Sequence, residues 1–75
     1  MNNVRRKKLT EIYDKLEVIK GELEEVLDEE DTALDGVPEN FTNRREQMEE
    51  IIGALEDTIM YVDDCIDNLE NVLGN

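Results

Sequence analysis

The sequence predicts an all-α fold: an antiparallel helical hairpin, coiled-coil-like, that pairs with a second copy into a four-helix bundle. Three observations predict it. Two apolar stripes follow a heptad repeat, a single Gly/Pro-bearing break separates them, and one helix carries an apolar row that its partner helix cannot cover. The first stripe is Leu9, Ile12, Leu16, Ile19, Leu23 and Val26. The second is Met48, Ile52, Leu55, Ile59, Val62, Ile66, Leu69 and Leu73. Steps of three and four residues place each set along one side of a helix. The chain of 75 residues is one domain, 1–75. Helix 1 is expected over about 3–31, a loop over about 32–42, and helix 2 over about 43–73.

Charges support the hairpin independently. With Leu9, Leu16 and Leu23 as a positions, the e row of helix 1 is Arg6, Tyr13, Lys20 and Leu27. With Ile52, Ile59 and Ile66 as a, the e row of helix 2 is Glu49, Glu56, Asp63 and Glu70. In an antiparallel pair the two e rows flank the same side of the seam. The register that closes the loop sets Arg6 against Glu70, Tyr13 against Asp63, Lys20 against Glu56 and Leu27 against Glu49. Two of these pairs are of opposite charge and none is a like-charge clash. Each exposed pair is worth only ~0.2–1 kcal/mol, so the pairs select register more than they hold the fold.

The other flank is apolar. The g row of helix 2 is Ile51, Thr58, Cys65 and Val72, and Tyr13, Val18 and Leu27 of helix 1 also fall outside the a/d seam. A two-helix hairpin of this size builds little core alone. Tyr13, Leu27, Ile51, Thr58, Cys65 and Val72 are therefore expected to form an interface. A second copy is the favoured occupant, and an unrelated protein is the alternative.

The connection reads Glu29-Glu30-Asp31-Thr32-Ala33-Leu34-Asp35-Gly36-Val37-Pro38-Glu39-Asn40-Phe41. Gly36 suits a left-handed helix end, and Pro38 stops the helix while biasing Val37 toward extended backbone. Helix 1 could alternatively continue to Leu34. Asn43 with Glu46 fits a capping box, with Thr42 as a competing cap. Leu34, Val37 and Phe41 are expected to plug the end of the bundle. The acids Asp28, Glu30, Asp31 and Asp35 do not match an EF-hand: with Gly36 as the turn glycine, Ala33 and Thr42 occupy ligand positions. They read as a solvated charge run.

Net charge is −13 and uneven. Residues 1–20 hold six basic and three acidic side chains, whereas residues 21–75 hold two basic and eighteen acidic ones. That balance opposes direct nucleic-acid binding by the body of the chain and favours basic partners. Arg5-Arg6-Lys7-Lys8 sits in the first helical turn, where the helix dipole disfavours cations. It reads either as a contact for an anionic partner or, preferably, as the counterpart of Asp67, Glu70 and other acids near the end of helix 2. No apolar run follows it, as a signal peptide requires, and no stretch approaches a membrane span. A cytosolic location is the simplest expectation for a chain with one cysteine.

Catalysis is nearly excluded by composition. The chain has no His, Ser or Trp, which removes Ser-His and Cys-His nucleophile pairs and the Glu-x-x-His ligands of di-iron bundles. No Gly-rich phosphate loop occurs. Cys65 lies among Asp63, Asp64 and Asp67, without the cationic neighbours that an activated cysteine needs. It reads as a small apolar interface residue. No enzyme activity and no cofactor or metal are expected.

The basic start, the Leu-rich helix, the acidic turn through Ala33 and Asp35 to Val37-Pro38-Glu39-Asn40, and the Arg45-Glu46 and Met48-Glu49-Glu50 opening of helix 2 together resemble a family. It is a family of small acidic proteins of phages, prophages and conjugative elements of bacteria. The resemblance spans nearly the whole chain, and its motif is the acidic turn ending in Pro-Glu. The family has no settled activity, so no catalytic residues carry over. The resemblance implies a mobile-element origin, and small acidic phage proteins include inhibitors of host defences, some of them DNA mimics.

Two functional expectations follow. The first is a non-enzymatic protein-interaction module, a homodimeric hairpin. The second is an acidic mimic that occupies a basic groove of a host DNA-binding or defence protein. Its surface would be Glu22, Glu25, Glu29, Glu46, Glu50, Asp57, Asp64 and Asp67.

Overall fold

The computed structural model describes residues 1–74 and is all-helical. It contains α1 (Asn3–Asp35) and α2 (Thr42–Gly74), each of 33 residues. Asn2 caps α1: its side-chain oxygen accepts from the Arg5 backbone N–H at 2.9 Å, and its carbonyl accepts from Arg6 N–H at 3.1 Å. Leu, Glu and Lys then carry the helix with little rotamer cost.

α1 runs past residue 31 to Asp35, so the connection is shorter than the sequence suggests. Its end is tight. The Gly36 N–H donates to the Ala33 carbonyl at 3.2 Å and the Val37 N–H to Leu34 at 3.0 Å. These i→i+3 bonds leave Gly36 right-handed, at φ −83° and ψ −7°. The left-handed cap expected there is not used, because the last turn closes by tightening instead.

Pro38 to Phe41 forms the next turn, with Phe41 N–H donating to the Pro38 carbonyl at 3.0 Å. The Phe41 carbonyl then accepts from Arg45 N–H at 3.0 Å, so Phe41 stands at the N-cap of α2. Thr42 and Asn43 are already inside the helix, and the expected Asn43–Glu46 capping box is not formed. Arg45 ties the turn together. Its guanidinium donates to the Val37 carbonyl at 2.7 Å and, as a second donor beside the Val37 N–H, to the Leu34 carbonyl at 3.3 Å. Leu34 and Val37 are half-buried there, whereas Phe41 remains exposed and does not complete the expected plug.

The hairpin is a rod, 59 × 14 × 12 Å between Cα extremes. Its radius of gyration is 17.2 Å, against about 11 Å for a compact chain of this length. The core is correspondingly thin. Among the described residues only Met48, Ile52 and Ile66 are buried, and all three belong to α2. α2 presents the expected a/d stripe to α1. α1 does not return the favour symmetrically. Its half-buried residues are Leu9, Leu16, Leu23 and Glu30 at a with Arg6, Tyr13, Lys20, Leu27 and Leu34 at e, whereas Ile12, Ile19 and Val26 at d are exposed.

The packed face of α1 is thus a/e rather than a/d, a rotation of about 50° about the helix axis at 100° per residue. The reason lies in the e row. It offers Tyr13, Leu27 and Leu34 as apolar bulk, and it brings Arg6, Tyr13 and Lys20 within bonding reach of α2. Tyr13 and Leu27, expected in the outer interface, are consequently seam residues.

Candidate interaction surface

Three polar contacts cross from the e row of α1. Lys20 Nζ donates to Asp63 Oδ1 at 2.6 Å, and Tyr13 OH donates to Glu70 Oε1 at 2.6 Å. Arg6 donates to the Leu73 carbonyl at the end of α2. Each contact lies further along α2 than the sequence register proposed: Lys20 meets Asp63 rather than Glu56, and Tyr13 meets Glu70 rather than Asp63. Side chains on a helix lean toward its N-terminus, and in an antiparallel pair the two leans are opposed. A long e side chain therefore reaches a partner one heptad nearer the C-terminus of the opposite helix.

These contacts set local electrostatics. The hydrogen bond donated to Glu70, with the Glu17 carboxylate also nearby, raises the Tyr13 phenol well above its ordinary value, because ionising it would place like charges together. The bond to Asp63 raises Lys20 by favouring the ammonium form. Arg6 also explains part of the basic cluster. It places a cation at the negative end of the α2 dipole, which outweighs its poor position at the start of α1. Arg5, Lys7 and Lys8 remain exposed.

The opposite flank carries the open apolar surface. Because the two e rows meet on one side, helical geometry puts the d row of α1 and the g row of α2 together on the other. Ile12, Ile19 and Val26 are 39%, 44% and 48% exposed, and Ile51 and Val72 are 49% and 43% exposed. Thr58 and Cys65 lie between the last two and are exposed as well. Two shallow grooves open beside the d row of α1, one bounded by Met1, Arg5, Lys8, Leu9 and Ile12, the other by Asp14, Lys15, Val18 and Ile19. The sequence places Ile51, Thr58, Cys65 and Val72 on an outer row of α2, and all four are exposed; on α1 it places Val18 outside the seam but Ile12, Ile19 and Val26 within it. The missing signal was present in the e row of α1, where Tyr13, Leu27 and Leu34 compete with the d row for the seam.

The eight candidate acidic residues, Glu22, Glu25, Glu29, Glu46, Glu50, Asp57, Asp64 and Asp67, are all exposed but do not form one surface. Glu22 and Glu29 are at g and Glu25 at c of α1. Glu46 and Asp67 are at b and Glu50, Asp57 and Asp64 at f of α2. Successive f carboxylates stand about 10.5 Å apart along the axis.

Among the described residues no cluster of His, Cys, Asp or Glu is arranged to hold a metal ion. No described helix is long and apolar enough to cross a membrane. No protein-family model, curated protein or solved structure matches the chain.

Proposed function

We propose that this chain is a non-enzymatic protein-interaction module of mobile-element origin, a small acidic helical hairpin that works as a homodimer in the cytosol. One observation carries the reading: a continuous apolar flank, built from both helices, that the hairpin leaves open. The accessible surface of 5709 Å² points the same way. A compact monomer of 8.7 kDa exposes about 4,700 Å². The excess of about 1,000 Å² is comparable to the ~800 Å² per partner that a standard interface buries. The missing His and Ser side chains argue against hydrolytic chemistry.

The acidic-mimic reading has weaker support. A DNA strand presents a phosphate about every 3.4 Å of axis, and the carboxylates here lie scattered over several rows at wider spacing. Sedimentation equilibrium at low and high salt tests the homodimer. A dimer that persists at high salt is expected, because apolar burial dominates the contact. A folded monomer across the accessible concentration range would overturn it.

A further inference from the structure

We propose that two hairpins dock antiparallel across this flank, about a two-fold axis at the level of Ile19, so that α1 lies on α1 and α2 on α2. The proposal rests on the homodimer reading and adds its geometry. It begins from the row that borders the apolar flank on α1, the g positions Lys8, Lys15, Glu22 and Glu29. All four are exposed. Two cations are followed by two carboxylates, so the row complements itself when reversed. An antiparallel copy sets Lys8 against Glu29 and Lys15 against Glu22, each twice by symmetry. The d row obeys the same axis: Ile19 meets Ile19, and Ile12 meets Val26.

α2 supplies an independent agreement. Its g row, Ile51, Thr58, Cys65 and Val72, is centred between residues 61 and 62. Reversal sets Ile51 against Val72 and Thr58 against Cys65, so apolar ends meet and small residues meet. The centre of the α1 rows is at residues 18–19. Lys20 is bonded to Asp63, which, with the opposed lean of the two side chains, sets the two centres within about one helical turn of each other along the hairpin. One axis therefore serves both helices.

Charge explains how copies carrying −13 each could approach. All nine acidic residues of α2 lie at b, e and f, so its g row and the bordering c row, Gln47, Ala54, Tyr61 and Asn68, carry none. The α1 border sums to zero. The flank is the one long face on which like copies do not repel. The competing two-fold arrangement, with α1 over α2 of the other copy, sets Lys8, Lys15, Glu22 and Glu29 beside that uncharged c row and leaves their pattern unused.

Two charge-reversed chains test the geometry, K8E/K15E and E22K/E29K, followed by sedimentation equilibrium at low salt with circular dichroism as the check on helicity. Each alone faces like charge across the axis, and its dimer dissociation constant should rise roughly tenfold or more. An equimolar mixture should recover the wild-type value, as should K15E/E22K within one chain. Variants that dimerise as tightly alone as wild type would overturn this geometry and leave the homodimer standing. A monomeric wild type would overturn both. Oxidative crosslinking supplies a readout independent of affinity. Thr58→Cys should yield a disulfide-linked dimer through Cys65, while wild type under the same oxidant should not. Equal crosslinking of wild type would place Cys65 on the axis and overturn the assignment.

Discussion

Lys20 and Asp63 are joined at 2.6 Å across the seam, with Glu56 one heptad away and unused. The pair is partly exposed, its side chains 29% and 46% accessible, so salt screens it. A double-mutant cycle with Lys20→Met and Asp63→Asn should show a small favourable coupling at low salt that fades as salt is raised. The matching cycle with Glu56→Gln should show none. Coupling to Glu56 instead would restore the register read from sequence.

Alkaline pH should weaken the same flank. The Tyr13 phenol and the Lys20 ammonium are both raised above their ordinary values of 10.0 and 10.5. A raised folded pKa means that the contribution is intact below the unfolded value and is lost as pH climbs through the folded one. Thermal stability should therefore show no loss from these groups up to about pH 10 and a progressive one above it. Tyr13→Phe should remove the phenol's share of that decline and lower stability at neutral pH by losing the bond to Glu70. An unchanged alkaline profile in Tyr13→Phe would contradict the contact.

Core and flank should separate by mutation. Ile66, at 4% exposure, is the most buried side chain among the described core residues. Ile66→Ala should cost about 2–5 kcal/mol in denaturant unfolding. Ile19→Ala should cost the hairpin less than about 1 kcal/mol when unfolding is measured on dissociated chain. It should nonetheless weaken self-association. Comparable unfolding costs at the two sites would mean that Ile19 is a core residue of the single chain.

The helix-interior glycines should be improvable. A Cβ added at Gly21 or Gly53 meets nothing within 4 Å, and neither has positive φ. Gly21→Ala and Gly53→Ala should each stabilise by about 0.5–1 kcal/mol. Gly36→Ala should be neutral or mildly stabilising, since its added Cβ makes only an ordinary 3.5 Å contact with the Ala33 carbonyl. A marked loss at Gly36 would show that a left-handed cap operates after all.

Arg45 should be the most sensitive residue of the turn. Its two bonds to the Val37 and Leu34 carbonyls are charge-assisted and part-buried. Arg45→Met should cost about 1.5–3 kcal/mol. Faster amide exchange at the end of α1 and the start of α2 is the matching local signature.

Periodicity alone carried the two helices, their antiparallel pairing and the full a/d stripe of α2 from Met48 to Leu73. It did so because heptad spacing and a Pro-bearing break are local properties, visible without knowing what lies opposite. The face that α1 turns inward was not legible. Leu9, Leu16 and Leu23 belong equally to an a/d and an a/e stripe, and Ile12 or Tyr13 can complete either. That choice follows from which rotation also lets Lys20, Tyr13 and Arg6 reach α2, and it moved Tyr13 and Leu27 from the outer surface into the seam. Register was ambiguous by one heptad, because a repeating row fits equally well when slid by its period. The length of the turn and the opposed lean of the side chains resolved it. Only with rotation and height both known do Ile12, Ile19 and Val26 come to lie beside Ile51, Cys65 and Val72 as one surface.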